Sequence, residues 1–215
     1  MTTPHTHHGH TPSALLTALL TTITHSIIPL TTDAVARGCK VFGASILHKS
    51  TLLPVISSTN DEMTSPLLHG EVATLLAFHR HNAALPVAQR VDPKQCIFVS
   101  THEPCSLCLS AITWSGFDNF YFLFTYQDTA DVFDIPHDIR ILHEVFRTNG
   151  GQGELYNRKN AYWECWSCAQ LVEQAEAGER ERLREEVQRV KEAYNALSQT
   201  YQASKADQTG QIPLN

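Results

Sequence analysis

Basic residues are scarce in this chain. Lys and Arg total 16 against 22 Asp and Glu, a formal charge of −6 over 215 residues. They form no run outside a charged stretch near the C-terminus. A protein that tracks a phosphate backbone normally carries a basic face, so the composition argues against nucleic acid as a partner. Long apolar runs are missing too, and none approaches the roughly 18 residues of a membrane span. The apolar stretch Ala14 to Leu20 has no Lys/Arg segment before it and no small-residue cleavage site. No membrane partner and no signal peptide are therefore expected, and the expected location is cytoplasmic. Cysteine is limited to six residues. Without a signal peptide, these read as reduced thiols or metal ligands rather than a disulfide framework.

What is present is ordinary in amount, with 42% apolar residues, enough for one sizeable core. Leu16, Leu19, Leu20, Ile23 and Ile27 repeat at helical spacing and predict a first helix over 13–28. Val41–Leu47 and Leu52–Ile56 read as strands, and Pro54 pushes the second toward a sheet edge. Leu68–Ala84 has helical period, Cys96–Ser100 is strand-like, and Cys105–Trp114 is helical again. Phe120–Phe124 suits a strand buried on both faces. Asp138–Phe146, a Trp-rich segment at 159–177 and a charged segment at 180–202 read as helices. Strands alternating with helices predict an α/β domain with helices on both faces of the sheet.

Two short segments carry the chemistry: His69-Gly70-Glu71 and Pro104-Cys105-Ser106-Leu107-Cys108. His69, Cys105 and Cys108 offer one imidazole and two thiols, the three-ligand set of a catalytic zinc that keeps a fourth position for water. One Zn²⁺ per chain is expected. Zinc lowers the pKa of bound water to about 7 in favourable sites. Glu71 is the expected proton shuttle, a role typically worth about 10²–10⁴-fold. Residues two apart on a helix point about 200° apart, so His69 and Glu71 converge only if the helix begins at them. A structural zinc knuckle is the rival reading, but such sites usually have four protein ligands. The order H-x-E then P-C-x-x-C is the established signature of zinc deaminases and is recognised here as such.

At these residues the chain resembles the cytidine-deaminase-like superfamily, in its free-base and tRNA-type branch. Leu68–Leu75 is similar to the matching segment of fungal cytosine deaminase. Glu103–Ile112, followed by Thr113-Trp114, looks more like bacterial guanine deaminase. Val41-Phe42-Gly43-Ala44 resembles the first-strand motif of both. The resemblance covers roughly residues 13–148. It implies a three-layer α/β/α fold with a five-stranded mixed sheet, and a homodimer. It also implies that Phe42 packs on the substrate ring and that Asn60 binds it, and Gly70 is counted with them as a substrate contact. Trp163 or Tyr162 is placed over the pocket by position alone. The expected domains are a disordered His-rich tail (1–12), a zinc deaminase domain (13–178), an amphipathic helix (179–203) and a flexible tail (204–215). The reaction implied is hydrolysis of an amino-substituted heterocycle, a free nucleobase or nucleoside of cytosine or guanine type, to the oxo form and ammonia. A tRNA adenosine deaminase and a non-catalytic zinc scaffold are the alternatives.

Some features stay open. Cys165-Trp166-Ser167-Cys168 reads as a buried helix face, with a redox or metal pair as the alternative. His102 is placed either beside the metal ligands or on the surface. Leu183, Val187, Val190, Tyr194, Leu197 and Tyr201 form a heptad seam that packs on the domain itself or on another subunit.

Overall fold

The computed structural model describes residues 6–148 and 155–205. Thr11 opens α1 (Pro12–Thr22) by accepting from Ala14 N–H, with Pro12 at the first helical position. The helix runs on through a π turn at Ile23–Ile27 into α2 (Ile28–Ala36). That widened turn lies directly before Pro29, whose ring and missing N–H disturb an ordinary α-turn. The first helix is thus longer than the 13–28 expected. At 25 residues, 12–36 is also long and apolar enough to cross a membrane by length and composition, unlike the reading of the sequence. Its apolar stripe, from Leu15 through Ile27 to Val35, is packed inside the protein.

The described strands form one mixed sheet in the order β2-β1-β3-β4-β5. They are β1 (Gly43–His48), β2 (Pro54–Thr59), β3 (Cys96–His102), β4 (Asn119–Phe124) and β5 (Glu164–Ser167). β1 pairs antiparallel with both β2 and β3, while β3, β4 and β5 run parallel. β2 is an edge strand with Pro54 as its first residue, where a missing N–H costs least. β4 is buried along its whole length, as its aromatic run predicted.

Strand alternation divides the core into two layers. Ile97, Val99, Tyr121 and Leu123 face α1, α2, α7 (Cys168–Gln174) and α8 (Arg180–Lys205). Phe98, Phe120 and Phe122 face α3 (Gly70–Ala84) and α4 (Ser106–Trp114). Helices α5 (Tyr126–Phe133) and α6 (His137–Glu144) follow β4. The result is the expected α/β/α architecture. The heptad seam of α8 packs on this domain, with Leu183, Tyr194 and Tyr201 fully buried.

Two expectations fail. The Trp-rich segment is a strand followed by a helix, β5 and α7, not one helix. The i, i+3 spacing of Trp163/Trp166 and Cys165/Cys168 imitates a helix, and a short apolar run does not separate the two periods. Ser167 then starts α7 with a capping box to Gln170. Cys165 lies in one core layer and Cys168 in the other, so the pair shares no face. The His-rich tail is not disordered over 6–12: His7 is buried, bonded to Tyr121 OH and Gln174 Oε1. Residues 1–5 and most of the expected 204–215 tail lie outside the described residues.

Candidate metal centre and active site

β3 ends in Ser100-Thr101-His102, a polar close to an apolar strand, and delivers Glu103-Pro104-Cys105 to the sheet's C-terminal edge. Cys105 is the N-cap of α4 and Cys108 lies in its first turn. Across from them His69 is the N-cap of α3, with Gly70 its first residue and Glu71 its second. The helix begins where convergence of His69 and Glu71 requires.

His69, Cys105 and Cys108 form the one group of three or more metal-ligating side chains found among the described residues, with all donor atoms within 4.8 Å of one another. His69 Nδ1 lies 3.4 Å from Cys105 Sγ and 3.7 Å from Cys108 Sγ, and the sulfurs are 3.6 Å apart. Zn–S bonds of about 2.3 Å and Zn–N bonds of about 2.0 Å at tetrahedral angles would set these edges at about 3.7 Å and 3.5 Å. The donor set therefore fits zinc both in chemistry and in spacing. Glu71 Oε2 is 3.3 Å from Cys108 Sγ, and Ser100 Oγ donates to Glu71 Oε1 at 2.9 Å.

Without a metal this cluster holds protons that a metal would displace. Burial works to lower the His69 pKa, but the hydrogen bond and charge of Cys105, with Glu71 and Glu62, push it up to about 9. Hydrogen bonding from Cys108, together with His69, holds Cys105 well below the usual thiol range against the opposing effect of burial. Burial pushes the Cys108 thiol up, helped by Cys105 and Glu71. Burial, then the charge of Cys105, raises Glu71 above the carboxylate range, with His69 opposing.

The other expected site residues fall in different places. Asn60 is fully buried; its Oδ1 accepts Gly70 N–H and its Nδ2 donates to Glu62 Oε1 at 2.6 Å. Phe42 is half-buried and meets the His102 ring edge-on at 4.6 Å between centroids. Gly70 is not a free donor: its N–H goes to Asn60 and its carbonyl accepts Thr74 Oγ1 at 2.7 Å. A Cβ there would lie 2.7 Å from Gly43 Cα and 2.9 Å from Phe42 O, so the glycine lets the start of α3 pack closely on β1. Trp163 packs beside the C-terminal end of α4. Its ring packs on Phe120 and Tyr156, and Nε1 donates to Thr113 Oγ1 at 2.8 Å. Thr113 is five residues beyond Cys108, about 7.5 Å further along α4. Tyr162 is exposed.

Several groups around the centre escaped the sequence reading. Ser100 was signalled only by the polar close of an apolar strand. Burial first, then the charges of Cys105 and Glu71, push the Asp138 carboxyl of α6 up to about 8. Glu103 is buried and accepts from Tyr126 N–H, Tyr156 OH and Arg158 Nη2, which fastens the chain beyond the sheet to the strand end before Cys105. His102 is neither beside the ligands nor on the surface. It is fully buried among Phe42, Phe124, Phe133 and Tyr194.

This α/β/α sheet domain thus gathers an imidazole, two thiols and a carboxylate at two helix starts, a set that could hold a metal ion. Residues 22–124 match the family model of the cytidine and deoxycytidylate deaminase zinc-binding region. The matched segment, a little under half of the chain, contains His69, Glu71, Cys105 and Cys108. Among solved structures it is similar to guanine deaminase from Nitrosomonas europaea, at 15% identity over 81% of this chain and 98% of that one, with a TM-score of 0.47. A guanine deaminase from Bacillus subtilis gives 19% identity, 63% and 85% coverage and a TM-score of 0.44. A tRNA:A34 deaminase gives 15% identity, 68% and 97% coverage and a TM-score of 0.46. No curated protein matches the chain.

Proposed function

We propose that this chain is a zinc-dependent hydrolytic deaminase of a small amino-substituted heterocycle, a free nucleobase or nucleoside of cytosine or guanine type. The observation that carries the reading is the position of Glu71, whose Oε2 lies 3.3 Å from Cys108 Sγ beside a donor set of three. A zinc that only held structure would have no use for a proton acceptor there.

His69, Cys105 and Cys108 would hold one Zn²⁺ per chain, which supplies an acidified water when bound. Glu71 takes one proton of the attacking water at Oε2 and passes it to the ring nitrogen, then takes the second and passes it to the departing amine. Ser100 holds the other oxygen, which leaves Oε2 on the side of Cys108. Asn60 keeps one N–H and one carbonyl lone pair beyond its bonds to Glu62 and Gly70, a donor and acceptor side by side for a ring edge. Phe42 packs on the ring face. Asp138, whose carboxyl feels the charges of Cys105 and Glu71, would add a second carboxyl for a ring nitrogen or exocyclic group. The scarcity of basic residues favours a small substrate over tRNA. The same reading includes a cytoplasmic homodimer, for which sedimentation is the test.

Ammonia release by the zinc-loaded protein, screened over cytosine, guanine, adenine, their nucleosides and pterins, tests the proposal. Turnover on one of these rings is the expected result. Absence of turnover on all of them, with zinc bound, would favour a non-catalytic scaffold.

A further inference from the structure

An α-helix leaves its first N–H groups without partners inside the helix. At α3 the N-cap side chain does not help, because His69 makes no capping hydrogen bond. The N–H of Gly70 goes instead to Asn60 Oδ1, ten residues earlier in the chain. Asn60 is held in turn. Its own N–H donates to Phe42 O at 3.0 Å, and its Nδ2 donates to Glu62 Oε1 at 2.6 Å. Glu62 Oε2 accepts Lys40 N–H at 3.1 Å, and Lys40 Nζ lies 4.0 Å from Glu62 Oε1. Asn60, Glu62 and Lys40 are 0%, 5% and 7% exposed.

We propose that Glu62, backed by Lys40, is a positioning residue that fixes the Asn60 carboxamide and, through it, the starting point of α3. The two ends of a carboxamide differ chemically. A flipped Asn60 would set N–H against the Gly70 N–H and carbonyl oxygen against the Glu62 carboxylate. Glu62 therefore selects the orientation that caps Gly70. A helix start displaced by one residue would turn His69 and Glu71 by about 100°, which parts the imidazole from the two sulfurs. Burying a carboxylate costs free energy unless it is paired and hydrogen-bonded, and the Lys40 ammonium and N–H meet that need here.

The inference rests on the reading of His69, Cys105 and Cys108 as metal ligands for one of its two readouts only. The first readout is amide exchange at Gly70, followed by NMR on the metal-free full-length chain. The second is zinc affinity by chelator competition. Glu62→Ala is expected to speed Gly70 exchange and to weaken zinc by about tenfold or more, as loss of a ligand-orienting partner does. N60D sets two carboxylates against each other and is expected to weaken zinc similarly. The double variant N60D/E62Q reverses the hydrogen bond, with the introduced amide donating to the introduced carboxylate, and is expected to recover most of the affinity. Unchanged exchange at Gly70 in E62A, or a double variant no better than N60D, would overturn the proposal. If E62A fails to fold by circular dichroism, the comparison of N60D with the double variant decides. A parent protein that binds no zinc would overturn the ligand reading but leave the exchange test of Glu62 standing.

Discussion

Ser100 and Glu71 meet across the sheet–helix boundary, with the Ser100 hydroxyl donating to Oε1 at 2.9 Å while Oε2 lies 3.3 Å from Cys108 Sγ. The two carboxylate oxygens therefore have separate tasks. Glu71→Gln should keep its zinc by elemental analysis and lose roughly 10²–10⁴-fold in ammonia release. Ser100→Ala should lower kcat by about tenfold at unchanged KM. A glutamine variant with parental turnover would remove Glu71 from the mechanism.

Gly70 and Gly178 separate packing from flexibility. A methyl group at position 70 meets backbone atoms of Gly43 and Phe42 within 3 Å, whereas at Gly178 it meets nothing within 4 Å. Gly70→Ala should cost about 1–3 kcal/mol by overpacking and weaken zinc retention. Gly178→Ala should leave both unchanged. Thermal denaturation and chelator competition read the two effects side by side.

His102 makes stability depend on pH. Burial lowers its pKa from 6.5 to about 3, with Asp128 and Lys191 acting in opposite directions. Among the described residues its Nε2 has no hydrogen-bond partner, which suits a neutral ring. The unfolded chain takes up a proton below about 6.5 that the folded chain refuses until about 3. The stability contributed by the neutral ring is thus fully present above 6.5 and declines as pH falls, by about 1.4 kcal/mol per unit. Urea unfolding between about pH 5 and 6.5 should show this slope, and His102→Phe should flatten it by one proton's worth. An unchanged slope in that variant would assign the titration to another group.

Trp163 should behave as a core residue. Trp163→Ala is expected to lose about 3–5 kcal/mol, as for other buried aromatics. Trp163→Phe should keep the parental KM, since the indole lies along α4 away from the metal ligands. A raised KM with intact stability would restore a pocket-closing role.

Much of this fold was legible in the residues. The α/β/α layering followed from strand–helix alternation, β4 from its aromatic run, and the edge position of β2 from Pro54. The convergence of His69, Cys105, Cys108 and Glu71 was legible because their spacing only makes sense at helix starts. The rest depends on contacts between distant segments. Glu62 and Lys40 are 22 residues apart, and neither carries a local pattern that marks it as buried. Gly70 and Trp163 were assigned by neighbourhood in sequence, whereas their environments are set by β1 and by the far end of α4. β5 was misread because four residues are too few for a period to emerge.

Because β5 runs alongside β4 in the same direction, the chain cannot turn back directly after Phe124. It must travel the length of the domain before pairing again. That return begins at the edge where Cys105 and His69 stand, and α5 and α6 are laid down along it. α5 and α6 are thus a by-product of strand direction, tied back through Tyr126 and Glu103 to the strand end before Cys105.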